Sequence, residues 1–253
     1  RFPEYVQLRT RIPLAVGYGV MRWFHGPAKT VMVATAALRD ELAARGFRNL
    51  GLWSRGVDVE LFRPREKSFL TGPRPIFMYM GRVAIEKNIE AFLDLDLPGT
   101  KYVVGGGPDL AMLRAKYPSV RFTDYKVGEE LAAYLAAADV FVFPSRTDTF
   151  GLVVIEALAC GVPVAAYPVR GPADIIEQGV TGYVDDDLRA AALNALALNP
   201  AACRLAARQY SWETCTRQFL EHLADAGGEL MTTLTPTHDG PERPPAKPHE
   251  RYS

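Results

Sequence analysis

Two short stretches of this chain, Ile76–Met80 and Val140–Phe143, are apolar at every position, with no alternation between apolar and charged residues. A strand with one face in water alternates, whereas a strand covered on both faces reads as an unbroken apolar run. Double cover requires a layer of helices on each side, and the surrounding sequence supplies them. Residues 102–104, 120–122, 164–166 and 182–184 read as further strands. Residues 110–116, 129–138, 151–160, 173–177 and 187–198 read as the helices that join them, several closed by Gly or Pro. This order predicts an α/β fold, a Rossmann-like parallel sheet with helices on both faces.

The same alternation begins earlier, with a strand at 30–33, a helix at 36–45 stopped by Gly46 and a strand at 50–53. Gly56, Pro64, Gly72 and Pro73 then fall within residues 55–74, a density of breakers expected of an interdomain linker. The predicted organisation is a partial first domain over 1–54, this linker, a main domain over 75–198 and C-terminal helices over 199–225. The tail, 226–253, is rich in Pro, Thr, Glu and Lys, offers little to bury and is expected to be disordered. Arg1-Phe2-Pro3 lacks a starting Met, so the chain is expected to begin inside something larger.

Lys+Arg and Asp+Glu balance at 29 each in 253 residues, which gives no support for a nucleic-acid partner. Cys160, Cys203 and Cys215 show no Cys-x-x-Cys spacing, which favours a reducing, cytoplasmic setting over a disulfide framework. The four histidines are scattered, so no metal is expected. The apolar run over 12–24 is interrupted by Pro13 and Arg22 and falls short of the ~20 residues of a spanning helix. Its Arg11 and Arg22, with Arg9, beside Tyr18, Trp23 and Phe24 leave two readings open: contact with an anionic membrane surface, or packing against another domain. His25 reads as part of a packing segment.

Three segments follow predicted strands, where open α/β sheets bind ligands. The first holds Gly81, Arg82, Glu86, Lys87 and Asn88; Arg82 and Lys87 would converge on a diphosphate, or form a solvated charge cluster. The second, Gly105-Gly106-Gly107-Pro108, permits close backbone approach to a ligand or forms a plain strand-to-helix turn. In the third, Asp148, Thr149, Phe150, Gly151 and Leu152 precede or open the helix bearing Glu156. Free N–H groups at that helix start would attract an anion. Asp148 and Glu156 lie too far apart along it for a close catalytic pair; they would accept hydrogen bonds from two parts of one extended ligand, unless Asp148 is only an N-cap.

Taken in order, Gly81-Arg82 with Glu86-Lys87-Asn88, the Gly-Gly-Gly-Pro turn, the 138–145 stretch and Phe150-Gly151-x4-Glu156-Ala157 resemble the C-terminal domain of family-four, group 1 retaining glycosyltransferases of GT-B fold. The Thr147 to Gly151 variant is similar to the sulfoquinovosyl, glycolipid and phosphatidylinositol-mannoside branch. The resemblance implies transfer of a hexose from a UDP- or GDP-hexose, without metal or other cofactor, to a hydroxyl acceptor such as a membrane lipid. Arg82, Lys87 and Asp148 would then be catalytic: the two cations on the diphosphate, Asp148 on the donor sugar. Glu156 would hold the ribose; Gly81, Thr149, Phe150, Gly151 and Leu152 would border sugar and phosphates, and Lys126 and Val127 the nucleobase. Residues 1–54 would be the remnant of the acceptor domain, with residues 213–223 a terminal helix crossing back to dock poorly on it. Alternatives are a non-catalytic nucleotide-sugar-binding fragment and, more distantly, a nucleotide-sugar 2-epimerase.

Overall fold

The computed structural model describes residues 10–148 and 150–225, together with residues 3, 6 and 7. Its main body is a six-stranded, all-parallel sheet. The strands are β3 (Ile76–Met80), β4 (Thr100–Val104), β5 (Arg121–Thr123), β6 (Val140–Phe143), β7 (Val164–Ala166) and β8 (Gly182–Val184), in the spatial order β5-β4-β3-β6-β7-β8. Every position of β3 and β6 is buried, as their unbroken apolar runs require.

Side chains of one strand point alternately into two separate cores. Ile76, Met78, Met80, Phe141 and Phe143 enter one, with residues of α5 (Gly128–Ala136), α6 (Leu152–Ala159) and α9 (Pro200–Ala207). Phe77, Tyr79, Val140 and Val142 enter the other, with α3 (Glu90–Leu93), α4 (Leu110–Lys116) and α8 (Leu188–Ala195). Each fully buried side chain of this size stabilises the fold by roughly 1.5–3 kcal/mol, so a charge at any of these strand positions is strongly disfavoured.

A smaller unit precedes the sheet. Strands β1 (Val31–Val33) and β2 (Leu50–Leu52) pair in parallel around α2 (Ala36–Ala44), whose N-cap Thr35 accepts a hydrogen bond from the Leu38 amide. Ahead of it lies a helix that sequence reasoning missed, α1 (Leu14–His25), starting directly after Pro13. Pro13 interrupts the apolar pattern, yet proline is tolerated where a helix begins. The Asn49 side chain donates to the His25 carbonyl and the Arg22 guanidinium to that of Arg45, tying α1 to this unit. The opposite face leaves Val16, Val20, Trp23 and Phe24 exposed.

The terminal helix α10 (Trp212–Asp225) docks on this small unit through specific contacts, correcting the expected poor fit. His222 lies 2.8 Å from the Leu52 carbonyl, Trp53 donates its indole N–H to the Cys215 carbonyl and stacks on Phe219, and the Gln218 side chain accepts from the Ser54 amide. The intervening breaker-rich stretch is packed: Val57, Phe62 and Leu70 are buried in the core, and the Val57 amide donates to the Tyr210 carbonyl. The tail expected to be disordered lies outside the described residues.

Candidate functional site

The strand order reverses direction at β3, which has β4 on one side and β6 on the other. Chain connections leave the sheet in opposite directions there, opening a crevice at the carboxyl ends of β3 and β6 where ligands of doubly wound folds bind. The first and third segments singled out in the sequence form its two sides.

They are joined directly. Lys87, at the end of a 3-10 turn (Ile85–Lys87), donates to Asp148 Oδ1 at 2.7 Å, each side chain about a quarter exposed. Asn88, in the left-handed region at φ 54°, donates to the Pro144 carbonyl at 3.0 Å, and the Thr147 hydroxyl to the Glu86 carbonyl at 3.2 Å. Asn tolerates this backbone better than most residues, a signal in the sequence that was passed over. Tyr79 was missed as well: its buried hydroxyl donates to the Arg82 carbonyl and holds the loop against β3. Burial, then the charges of Asp148 and Glu86, raise that phenol far above its usual range. Arg82 lies 3.8 Å from Glu86.

The Gly105 to Gly107 turn packs closely against this loop. A Cβ on Gly105 would stand 2.0 Å from the Gly81 carbonyl oxygen, and one on Gly107 would stand 2.2 Å from that of Val83. The close approach read from the sequence is therefore loop against loop.

On the other side, α6 begins at Leu152. Its N-cap is Gly151 at φ 81°, a conformation that penalises any residue with a Cβ. Asp148 is thus not the N-cap; its Oδ1 belongs to Lys87. The Phe150 side chain is buried edge-on to Tyr210, its backbone packs close against Gly171, and Leu152 is half exposed. Thr149 lies outside the described residues. Glu156, one turn into α6, has no hydrogen-bond partner among the described residues, and burial pushes its carboxyl up to about 7. A turn further on, its own burial and then the Glu156 charge push the Cys160 thiol up to about 12.

Lys126 and Val127 stand beyond β5. Lys126 is engaged by Glu130 at 2.7 Å, which raises its pKa, and lies over the Tyr134 ring, while Val127 and Tyr125 are exposed. Across from α6, Arg170 of the loop after β7 forms an ion pair with Glu41 of α2, joining the main body to the small unit.

A doubly wound sheet whose switch-point crevice is bordered by paired basic and acidic side chains and by a helix N-terminus defines a Rossmann-like domain of the GT-B type. Solved structures agree: sucrose-phosphate synthase from Thermosynechococcus elongatus superposes with a TM-score of 0.67 at 27% identity, over 83% of this chain and 62% of that one. The profile described as Glycosyl transferases group 1 matches residues 74–199, and the chain belongs to that family. Sulfoquinovosyl transferase SQD2 of Arabidopsis thaliana is 36% identical over 187 residues, 66% of this chain and 36% of that protein. A GDP-mannose-dependent alpha-mannosyltransferase of Corynebacterium glutamicum is 31% identical over 243 residues, 88% of this chain and 59% of that protein. The chain thus spans between about a third and three fifths of the length of these curated relatives.

Proposed function

We propose that this chain carries the donor side of a glycosyltransferase moving a hexose from a UDP- or GDP-hexose to a hydroxyl acceptor with retention of configuration. The observation that carries this reading is the junction of Lys87 and Asp148 across the switch-point crevice, beside Arg82 and the open start of α6. Breaking the bond between the sugar's anomeric carbon and the phosphate oxygen leaves negative charge on the diphosphate. Arg82, Lys87 and the first amides of α6, reached past Gly81, Thr149, Phe150, Gly151 and Leu152, are the groups to stabilise it. Asp148 would accept from the sugar's hydroxyls, Glu156 from the ribose, and Lys126 and Val127 would flank the base. A relative named for its dependence on GDP-mannose supports a nucleotide-sugar donor. A lipid acceptor and contact with an anionic membrane belong to the same reading, supported by the exposed Val16, Val20, Trp23 and Phe24 of α1.

Calorimetric titration with UDP, GDP and their glucose and mannose conjugates tests the donor site. Saturable binding of one nucleotide series, weakened at least about tenfold by Arg82→Ala and by Glu156→Ala, is expected, as for loss of a charge-assisted hydrogen bond. A folded chain that binds neither series sinks the reading.

A further inference from the structure

Arg82 and Lys87 are both already engaged by carboxylates in the free protein. Lys87 is bonded to Asp148 Oδ1 at 2.7 Å, and Arg82 lies 3.8 Å from Glu86. The two pairs differ in kind. Arg82 and Glu86 are neighbours on one loop and more than a third exposed, so water screens their attraction. Lys87 and Asp148 come from opposite sides of the crevice, at the ends of β3 and β6, and are about three-quarters covered. Asp148 Oδ2 is buried with no hydrogen-bond partner among the described residues, so its carboxylate is only half satisfied by Lys87.

We infer that Asp148 is a sugar-gated counter-ion: it holds Lys87 away from the phosphates until a hydroxyl of the donor sugar takes Lys87's place. The inference rests on the function proposed above. A nucleoside diphosphate alone must compete with Asp148 for the Lys87 ammonium. A nucleotide sugar brings its own replacement, because its hydroxyl donates to the carboxylate and satisfies the oxygen that Lys87 leaves unpaired. Lys87 then turns to the diphosphate. Once the sugar has been transferred, Asp148 loses that partner, reclaims Lys87 and weakens the hold on the nucleoside diphosphate. The pair thereby favours substrate over product at one site, with no second conformation of the fold required.

The test compares inorganic pyrophosphate, UDP, GDP and their hexose conjugates on the wild-type chain, Asp148→Asn and Asp148→Glu by calorimetry. Removing the charge should tighten pyrophosphate and the preferred nucleoside diphosphate about tenfold, equivalent to about 1.4 kcal/mol. It should also shrink the affinity advantage of the nucleotide sugar over its nucleoside diphosphate. Asp148→Glu, which keeps the charge, should hold pyrophosphate as weakly as the wild type does. A structural lesion would weaken every ligand together, so the opposite signs set the two apart. Pyrophosphate binding unchanged or weaker in Asp148→Asn, while the wild type binds nucleotide normally, overturns the inference and leaves the proposed function standing. No binding of any nucleotide by wild type and variants alike overturns both.

Discussion

Glu156 is an inward carboxyl with nothing to bond to among the described residues, and its burial has a consequence for stability. Its folded-state pKa of about 7 lies above the usual 4.5, so the folded protein binds the proton more tightly than the unfolded chain does. Stability is therefore fully present below about pH 4.5, declines as pH rises toward 7 and levels off beyond. The decline should be on the order of 3 kcal/mol from this group. Glu156→Gln should flatten it, so its melting temperature at pH 8 should exceed that of wild type while the two nearly agree at about pH 4. Parallel melting curves for both proteins across that range would rule the account out. The Phe-Gly-x4-Glu spacing pointed to Glu156, but not to its protonation, because the side chains that surround it come from elements distant in sequence.

At the scale of elements, the weak point of α6 is its carboxyl end, where orphan carbonyls need a donor. Arg204 of α9 supplies one. Its guanidinium reaches the carbonyls of Ala159 at 3.0 Å, Phe62 at 2.9 Å and Val59 at 2.9 Å, binding helix, core stretch and α9 together. Arg204→Ala should cost on the order of 2 kcal/mol in urea unfolding, with Arg204→Lys intermediate because an ammonium lacks the planar fork. A loss below about 0.5 kcal/mol for Arg204→Ala would place the clamp among ordinary surface contacts. Such a clamp is invisible in sequence: Arg204 and Phe62 are 142 positions apart. Strands were more legible. The range 164–166 agrees residue for residue with β7, while 120–122 is displaced by one from β5, Arg121–Thr123. A strand covered on both sides announces itself by composition; α1, α3 and the 3-10 turn bearing Lys87 are too short, or too irregular in pattern, to do so.

Over the whole molecule, contacts that relate the small unit to the main body include α10 against β2, Arg170 against Glu41 and Ala34 against the core. They leave the outer face of α1 open, with Trp23 at 78% and Phe24 at 70% exposure. Among the described residues no helix is long and apolar enough to cross a membrane. The chain should co-sediment with phosphatidylglycerol vesicles and not with phosphatidylcholine vesicles, and the Trp23→Ser, Phe24→Ser double variant should lose most of that binding. Equal sedimentation of variant and parent would assign the face to something other than lipid.

The sequence by itself determined the layered α/β architecture, the ends of most strands and the two loops that border the crevice. Burial on both faces of a strand leaves a local trace in composition, and glycine leaves one wherever backbones approach closely. Only the tertiary structure decided that Lys87 meets Asp148, that the glycine turn packs on a loop and that α10 docks on β2. Each of these depends on strand order, which brings together residues dozens of positions apart. Strand order is set by the mutual packing of all six strands and their helices, and no single segment encodes it.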